Sequence, residues 1–256
     1  MSSNHNYIQI WKDQYKVHSY EVDFSGSATL ASLCRFMQES AWTHAEHLDV
    51  GFTQLMKKNL IWVLSRQTVQ VNDFPKWGDT VQIHTWPSGQ DRLFCYRDFK
   101  IIDEQGNIKG VATTTWFVID LEKRRPQRVN SYLKYLPDNA ELVFPNFSKK
   151  IKAIQSPNSS QNLRVNYSDL DVNGHANNVK YIEYIMDSLP FDFLKSQQLY
   201  QFEINYLAEA FYDDEIFINL KDSGSGEFLH NIIRKKDNIE LCRAKTYWGE
   251  NARRTA

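Results

Sequence analysis

Polar residues able to do chemistry are concentrated in one short segment, residues 169–175, which reads Asp-Leu-Asp-Val-Asn-Gly-His. The segment combines a carboxylate at Asp171, a carboxamide at Asn173 and an imidazole at His175. An imidazole or a carboxylate can accept a proton, and an amide can donate a hydrogen bond to developing negative charge. These residues are therefore candidates for acid–base chemistry. The alternative is structural, because Asp and Asn also cap helices and form turns.

A helical pattern follows this polar segment. Apolar residues recur at the helical period over residues 176–189, and Pro190 then stops the helix. The turn formers upstream predict that the helix begins near Gly174 or His175. Its unpaired N–H groups would then lie among the polar side chains of the segment and favour negative charge there.

An earlier helix is predicted after Ser27, which can cap it, and before Gly51. Its apolar positions follow the same period: Leu30, Leu33, Cys34, Met37 and Ala41. His44, Glu46 and His47 lie in this helix without the spacing or the cysteine partner of a metal site. We interpret them as exposed polar positions and predict no metal.

Runs of Val, Ile, Thr and aromatic residues predict strands, which are separated by Gly, Pro and Asp turn signals. In the first half they cover residues 60–71, 80–86, 94–102 and 111–119. In the second half they cover residues 163–167, 200–210, 215–220, 228–235 and 239–248. Residues 137–162 lack a pattern and are interpreted as a linker. One helix followed by antiparallel strands, present twice, indicates an α+β fold.

The two halves also share short motifs. Gly78-Asp79-Thr-Val corresponds to Asp213-Asp214-Glu-Ile, and the Trp116 and Trp248 motifs follow at similar distances. The separations are 37 residues from Asp79 to Trp116 and 34 residues from Asp214 to Trp248. A repeated unit is therefore predicted, with one domain at residues 1–150 and the other at 151–256.

Composition excludes several classes of protein. The 30 Lys and Arg residues nearly balance 31 Asp and Glu residues, so no overall field favours nucleic acid or an anionic membrane. No apolar run has the length of a membrane span, and the first residues lack a secretory signal. Three widely spaced cysteines fit neither a disulfide framework nor a CxxC site, which predicts a reducing cytoplasm: Cys34, Cys95 and Cys242.

Four sequence blocks resemble those of a known family. They are residues 19–21, residues 57–63 (Lys-Lys-Asn-Leu-Ile-Trp-Val), residues 77–79 (Trp-Gly-Asp) and, most specifically, residues 169–182. The chain resembles, over nearly its whole length, the acyl-acyl-carrier-protein thioesterases of fatty-acid synthesis in plants and bacteria. This resemblance implies a double hotdog fold, in which each of two tandem units wraps an antiparallel sheet around a central helix.

The resemblance also implies a catalytic set of Asp171, Asn173, His175 and Glu209, the last lying 34 residues after the histidine. Plant members have a cysteine after that glutamate. Here the position is Ala210, so no cysteine nucleophile is expected.

Thioester hydrolysis needs an activated water and donors for the oxyanion. His175 and Glu209 remain alternative bases, and direct attack by a carboxylate is a third route. Asp171 would orient one of the bases. The backbone N–H groups near Gly174 and His175 would supply the donors, with Asn173 adding its amide or orienting the thioester.

The first half is expected to have no such set. Aligning Asp79 with Asp214 places Phe74 opposite Glu209, and residues 25–30 offer no match for the polar residues of the second half. The resemblance implies that this half holds the acyl chain instead. Three apolar helix positions are the candidates for its pocket: Leu33, Met37 and Ala41.

The predicted function is therefore hydrolysis of fatty acyl thioesters of acyl carrier protein, with no metal or organic cofactor. The acidic carrier would dock on a basic cluster, for which the candidates are residues 57–58, 123–125 and 149–150. An acyl-CoA thioesterase and a non-catalytic acyl-thioester binding protein are the alternatives. A binder has no need of a base, which favours the enzyme. A bacterial cytoplasmic form is expected, and a homodimer remains open.

Overall fold

The computed structural model describes residues 7–128, 142–144 and 150–250. The chain divides into two compact units. The first contains Met1–Ser65 and Asn72–Phe147, and the second contains Arg66–Val71 and Ser148–Ala256. Each unit combines an antiparallel sheet with one principal helix, as the α+β prediction expects.

The first unit contains six strands and two α-helices in its described part. Their bounds are β1 Trp11–Lys16, α1 Leu30–His47, α2 Phe52–Met56, β2 Leu60–Val71, β3 Thr80–Gln90, β4 Cys95–Asp103, β5 Ile108–Asp120 and β6 Arg125–Gln127. The strand order is β1-β3-β4-β5-β2, and β6 pairs with β5. The sequence prediction for β2 is confirmed at both ends.

Helix α1 packs against β3 and β1. The five apolar positions predicted for its inner face are all buried, so the periodicity is confirmed: Leu30, Leu33, Cys34, Met37 and Ala41. The prediction that Ser27 caps this helix is wrong. Thr29 is the N-cap, since its hydroxyl accepts the N–H of Ser32 at 3.1 Å.

The second unit contains β7 Ser159–Arg164, α3 Asn178–Asp187, α4 Phe191–Ser196, β8 Gln197–Tyr206, β9 Glu215–Gly224, β10 Glu227–Arg234 and β11 Ile239–Glu250. Its strand order is β8-β11-β10-β9-β7. Arg66–Gln70, the end of β2, pairs antiparallel with β8 through Gln201–Asn205, which explains why this segment clusters with the second unit.

Several boundaries differ from the sequence predictions, among them the start of α3, the predicted linker and the strand predicted over residues 200–210, which ends at Tyr206. Helix α3 begins at Asn178, not near Gly174, because Asn177 caps it by accepting the N–H of Val179 at 2.9 Å. The linker prediction is wrong for residues 159–162, which belong to β7 and pair with β9. Their polar Ser, Gln and Asn side chains hide the strand because β7 is an exposed edge that needs little apolar surface. Residues 137–141 and 145–149 of the predicted linker lie outside the described residues.

None of the helices in the described ranges is long and apolar enough to cross a membrane.

Candidate active site

The polar segment forms a tight turn that leads into α3. The Asp171 carboxylate accepts the backbone N–H groups of Asn173 at 2.8 Å and His175 at 3.3 Å. Its own N–H donates to the His175 carbonyl at 2.8 Å, and Gly174 donates to the Asp171 carbonyl at 3.0 Å. Gly174 has φ +77°, a conformation that side chains rarely adopt. Asp171 therefore fixes the main chain that carries Asn173 and His175.

This turn corrects one prediction. The N–H groups of Gly174 and His175 were expected at a helix start, where they would bind an oxyanion. Both are hydrogen-bonded to Asp171 within the turn, and α3 starts only at Asn178. The physical reason is that an Asp side chain competes with the helix for nearby backbone donors.

His175 and Glu209 meet although 34 residues separate them in the chain. The Nδ1 atom of His175 lies 3.2 Å from Oε1 of Glu209, and the two side chains are 28% and 45% exposed. The histidine ring also meets the edge of Phe211, at 5.0 Å between ring centroids. An ionised carboxylate opposite Nδ1 keeps the proton on that nitrogen, which leaves the lone pair on Nε2 to accept another proton.

The Glu209 segment connects β8 to β9 and is tied down along its backbone. The N–H groups of Leu207 and Ala208 donate to the Leu241 carbonyl at 2.8 and 3.1 Å. The Ala210 carbonyl accepts the N–H of Ala176, next to His175, at 2.9 Å. This last bond joins the glutamate segment directly to the histidine turn.

Two further side chains hold this segment, and the sequence analysis missed both. The Tyr181 hydroxyl accepts the N–H of Ala210 at 3.0 Å, and Nη1 of Arg234 donates to the Glu209 carbonyl at 2.9 Å. Tyr181 looked like one more residue of the apolar stripe of its helix. Arg234 is the last residue of an ordinary strand, so no local signal could have identified it.

Asn173 is exposed, and the adjacent Val172 is 96% exposed. The structure therefore brings three of the four predicted residues together: Asp171 accepts the N–H of His175, and the His175 ring lies 3.2 Å from the Glu209 carboxylate. Asn173 joins this group through its backbone.

The first unit contains the same turn before α1. The Asp23 carboxylate accepts the N–H groups of Ser25 at 2.7 Å and Ser27 at 3.2 Å, and its N–H donates to the Ser27 carbonyl at 2.7 Å. The expectation that this half lacks a matching carboxylate is therefore wrong, because Asp23 lies just before the segment considered. Ser25 and Ser27 occupy the positions of Asn173 and His175.

The counterpart of Glu209 follows from a second shared hydrogen bond. The N–H of Ala28 donates to the Pro75 carbonyl at 2.7 Å, just as Ala176 donates to Ala210. Pro75 thus corresponds to Ala210, and Phe74 stands at the position of Glu209, as the sequence alignment predicts. The first unit has the turn without the base.

The pocket candidates Leu33, Met37 and Ala41 are buried in α1, and their contact with an acyl chain stays a prediction. His44 in the same helix was expected to be exposed, which is wrong. Its Nδ1 accepts Nη1 of Arg97 at 3.0 Å, and its Nε2 donates to the Ile8 carbonyl at 2.8 Å. Burial and the neighbouring Arg97 charge lower the pKa of His44 to about 4.

None of the three cysteines forms a disulfide, and all three are buried. Burial raises the pKa of Cys95 to about 12 and raises that of Cys242 as well, so neither is a thiolate near neutral pH. Within residues 7–128, 142–144 and 150–250, His, Cys, Asp and Glu side chains form no cluster of three that could hold a metal ion.

Comparison with known proteins agrees with this architecture. Residues 9–134 match the acyl-ACP thioesterase N-terminal domain, and residues 152–250 match the C-terminal domain of the same family. The chain is 30% identical to the chloroplastic oleoyl-acyl carrier protein thioesterase 1 of Arabidopsis thaliana, over 93% of this chain and 75% of that protein.

Solved structures give the same result. An acyl-ACP thioesterase from Bacteroides thetaiotaomicron superposes with a TM-score of 0.85 at 28% identity, covering 94% of this chain and 98% of that one. The 12:0-ACP thioesterase from Umbellularia californica superposes with a TM-score of 0.84 at 25% identity, with the same coverage of both chains.

Fold and site together define a thioester hydrolase with a double hotdog fold. More specifically, the chain belongs to the acyl-ACP thioesterase family, enzymes that release free fatty acid from fatty acyl carrier protein.

Proposed function

We propose that this chain hydrolyses fatty acyl carrier protein thioesters with His175 and Glu209 as its acid–base pair. The observation that carries the proposal is the 3.2 Å contact between Nδ1 of His175 and Oε1 of Glu209. Both side chains are partly exposed, so water and a thioester can reach them.

The geometry favours His175 as the base that acts on water. With Nδ1 held by Glu209, the Nε2 lone pair takes a proton from water while the water oxygen attacks the thioester carbon. The carbon–sulfur bond then breaks, and the proton on Nε2 passes to the departing thiolate. The products are a free carboxylic acid and the carrier thiol.

The other two predicted residues have different parts in this proposal. Asp171 holds the turn that presents His175, since its carboxylate accepts two backbone N–H groups there. Asn173 lies on the exposed side of the same turn, where its amide is accessible to the thioester. Direct attack by the Glu209 carboxylate is the alternative route, and trapping of an acyl-enzyme anhydride with hydroxylamine separates the two.

Acyl carrier protein is proposed as the carrier and fatty-acid biosynthesis as the process, because the family match covers both units. The carrier is proposed to dock on an exposed basic cluster. Lys57-Lys58 and Lys123 to Arg125 are exposed, as is Lys150, whereas Lys149 lies outside the described residues. Raising salt should then weaken the apparent affinity for the carrier.

Location and assembly are also proposals. Three buried cysteines without a disulfide support a reducing compartment such as the cytoplasm, although the Arabidopsis relative is chloroplastic by name. Cell fractionation tests the location, and sedimentation of the purified protein tests the homodimer.

The decisive experiment offers the purified protein acyl carrier protein and CoA thioesters of graded chain length. Release of free thiol from the carrier substrates, at higher kcat/KM than from CoA thioesters, supports the proposal. Higher kcat/KM on CoA thioesters identifies an acyl-CoA thioesterase instead. Tight binding without thiol release identifies a binding protein.

A further inference from the structure

The two units differ in the side chains that hold the segment around Glu209, which corresponds to the segment around Phe74 in the first unit. We propose that Tyr181 and Arg234 are positioning residues, which fix the backbone of Glu209 so that its carboxylate stays opposite His175. This inference rests on the proposed function. It adds two residues that act on Glu209, the partner of the base His175, through the main chain and touch neither water nor thioester.

Tyr181 holds the residues on both sides of Glu209. Its hydroxyl accepts the N–H of Ala210 at 3.0 Å and approaches the carbonyl of Ala208 at 3.5 Å, a long contact. The side chain is only 2% exposed, and its ring meets the Tyr206 ring edge-on at 5.7 Å. A buried hydroxyl held by packing cannot follow the segment, so the segment must stay with the hydroxyl.

Arg234 holds Glu209 itself. Nη1 donates to the Glu209 carbonyl at 2.9 Å, and the guanidinium is 6.0 Å from the centre of the Phe211 ring. The other edge of the guanidinium donates hydrogen bonds to Asp237. Nε lies 3.0 and 3.1 Å from the two carboxylate oxygens of Asp237, and Nη2 lies 2.7 Å from Oδ2. The carboxylate of Asp214 is 3.6 Å from Nη1.

A bidentate pairing of this kind fixes the plane of a guanidinium. Arg234 is only 8% exposed, and its pKa is raised, first by the hydrogen bond to Asp237. The group is therefore charged and immobile. It presents one N–H to a single carbonyl, that of Glu209.

The first unit has neither a hydroxyl nor a guanidinium at the two corresponding positions. The two turns correspond with an offset of 148 residues, which places Leu33 at the position of Tyr181. In the strands, the register shift after Ile101 corresponds to the shift after Ile232, which places Asp103 at the position of Arg234. Leu33 has no polar group, and the ionised Asp103 has no proton to donate.

This contrast argues that the two side chains serve Glu209 and not the fold. Both units keep the backbone bonds of the segment, since Asn72 and Asp73 donate to the Lys109 carbonyl as Leu207 and Ala208 donate to that of Leu241. The turn therefore forms without a hydroxyl or a guanidinium. Only the unit with Glu209 adds them.

The consequence is kinetic. Glu209 is 45% exposed, so packing does little to fix its side chain, and the direction of its carboxylate depends on its backbone. Misplacing a catalytic group by about 1 Å can cost about a hundredfold in rate. Losing one of the two restraints should therefore lower kcat by about tenfold and leave KM nearly unchanged.

The test uses Tyr181→Phe and Arg234→Gln in the full chain, with kcat, KM and the pH profile of kcat measured on the best carrier substrate. We expect kcat to fall about tenfold in each, with the profile displaced because the His175–Glu209 contact loosens. In a Glu209→Gln background, neither change should lower the residual rate further, because both act through Glu209.

Two matched controls come from the first unit. Tyr15→Phe removes a half-buried hydroxyl that is 3.0 Å from Ser40, and Lys109→Gln removes the ion pair to Asp73 at the corresponding corner. Both should leave kcat and its pH profile unchanged. If Arg234→Gln fails to fold, Asp237→Asn takes its place in the test. That change weakens the pairing that holds the guanidinium and keeps the arginine itself.

The outcomes are distinguishable. Folded Tyr181→Phe and Arg234→Gln (or Asp237→Asn) variants with normal kcat, beside an inactive Glu209→Gln, would overturn the positioning role and leave the proposed function standing. An active Glu209→Gln would overturn the proposed function itself. A lower melting temperature with an unchanged pH profile and kcat would show that the two residues are merely structural.

Discussion

The turn before α1 and the turn before α3 share their hydrogen-bond pattern and differ in the side chains it presents. In each, an aspartate carboxylate accepts two backbone N–H groups, two and four residues further on. In each, the next alanine N–H donates to a carbonyl of the segment that precedes a strand of the same unit. The positions that differ are Ser25 against Asn173, Ser27 against His175, and Phe74 against Glu209.

Shared positions therefore serve the fold, and differing positions can serve the chemistry. Asp23 performs in the first unit the same backbone task that Asp171 performs in the second, without any base beside it. The aspartate needs no catalytic role to explain its presence. The comparison shows that Asp171 holds the turn, and a further catalytic part for Asp171 stays a prediction.

The largest effect should come from the pair that exists in one unit only. His175→Ala and Glu209→Gln should each lower kcat by at least about a hundredfold, the scale of a lost general base or its partner. The matched changes Ser27→Ala and Phe74→Leu should leave kcat within about twofold, because no proton is transferred at those positions. Steady-state kinetics on an acyl carrier substrate decides. An equal loss of kcat from the changes in the two units would contradict the assignment of the chemistry to the second unit.

Removing the shared aspartates should show whether the two turns have the same structural part and a different catalytic part. Asp23→Ala and Asp171→Ala each lose hydrogen bonds that a charged carboxylate accepts, and each should cost about 1–3 kcal/mol of unfolding free energy. Only Asp171→Ala should also lower kcat, by about tenfold, because His175 then loses its fixed backbone. Urea unfolding and kinetics on the same samples separate the two effects. A loss of rate in Asp23→Ala would contradict the assignment.

Each unit also buries a neutral histidine. Burial, with the Arg97 charge as a lesser cause, lowers the pKa of His44 to about 4, and burial lowers that of His230 to about 3. A histidine whose folded pKa is below its unfolded value of 6.5 destabilises the fold as pH falls below 6.5. At pH 5.5 each should cost about 1 kcal/mol relative to pH 7.5.

Urea unfolding across this pH range tests the two histidines separately. Glutamine keeps one donor and one acceptor but does not titrate, so His44→Gln should make the pH dependence of stability shallower by one group. His230→Gln should do the same in the second unit. An unchanged slope in either variant would show that the histidine is already charged in the folded protein.

The smallest effect on catalysis should come from the cysteines. Cys95→Ala and Cys242→Ala remove buried thiols, one from each unit, and a small cavity should cost about 1 kcal/mol of stability. Activity per folded molecule should stay within about twofold, because Ala210 follows the candidate base and the high thiol pKa values keep both groups protonated. Complete inactivation of a folded single variant would restore a cysteine mechanism.

Local pattern was enough for much of this protein. The helical period located the buried face of α1 and most of α3, and β-branched runs located most of the strands but not β1 or β6, because an element that buries one face must repeat apolar residues at its own period. The Asp-x-Asn-x-His spacing marked the turn for the same local reason, since the aspartate bonds to its near neighbours in the chain.

The tertiary structure decided what local pattern does not contain. Glu209 was named from a family resemblance, since nothing in its own stretch separates it from a solvated strand residue. Three features depend on chain segments at least 25 residues away. They are the contact of Glu209 with His175, the hydrogen bond from Arg234 to the Glu209 carbonyl, and the burial of His44. Such contacts depend on which surfaces pack together, and side-chain periodicity within one element carries no record of its partners.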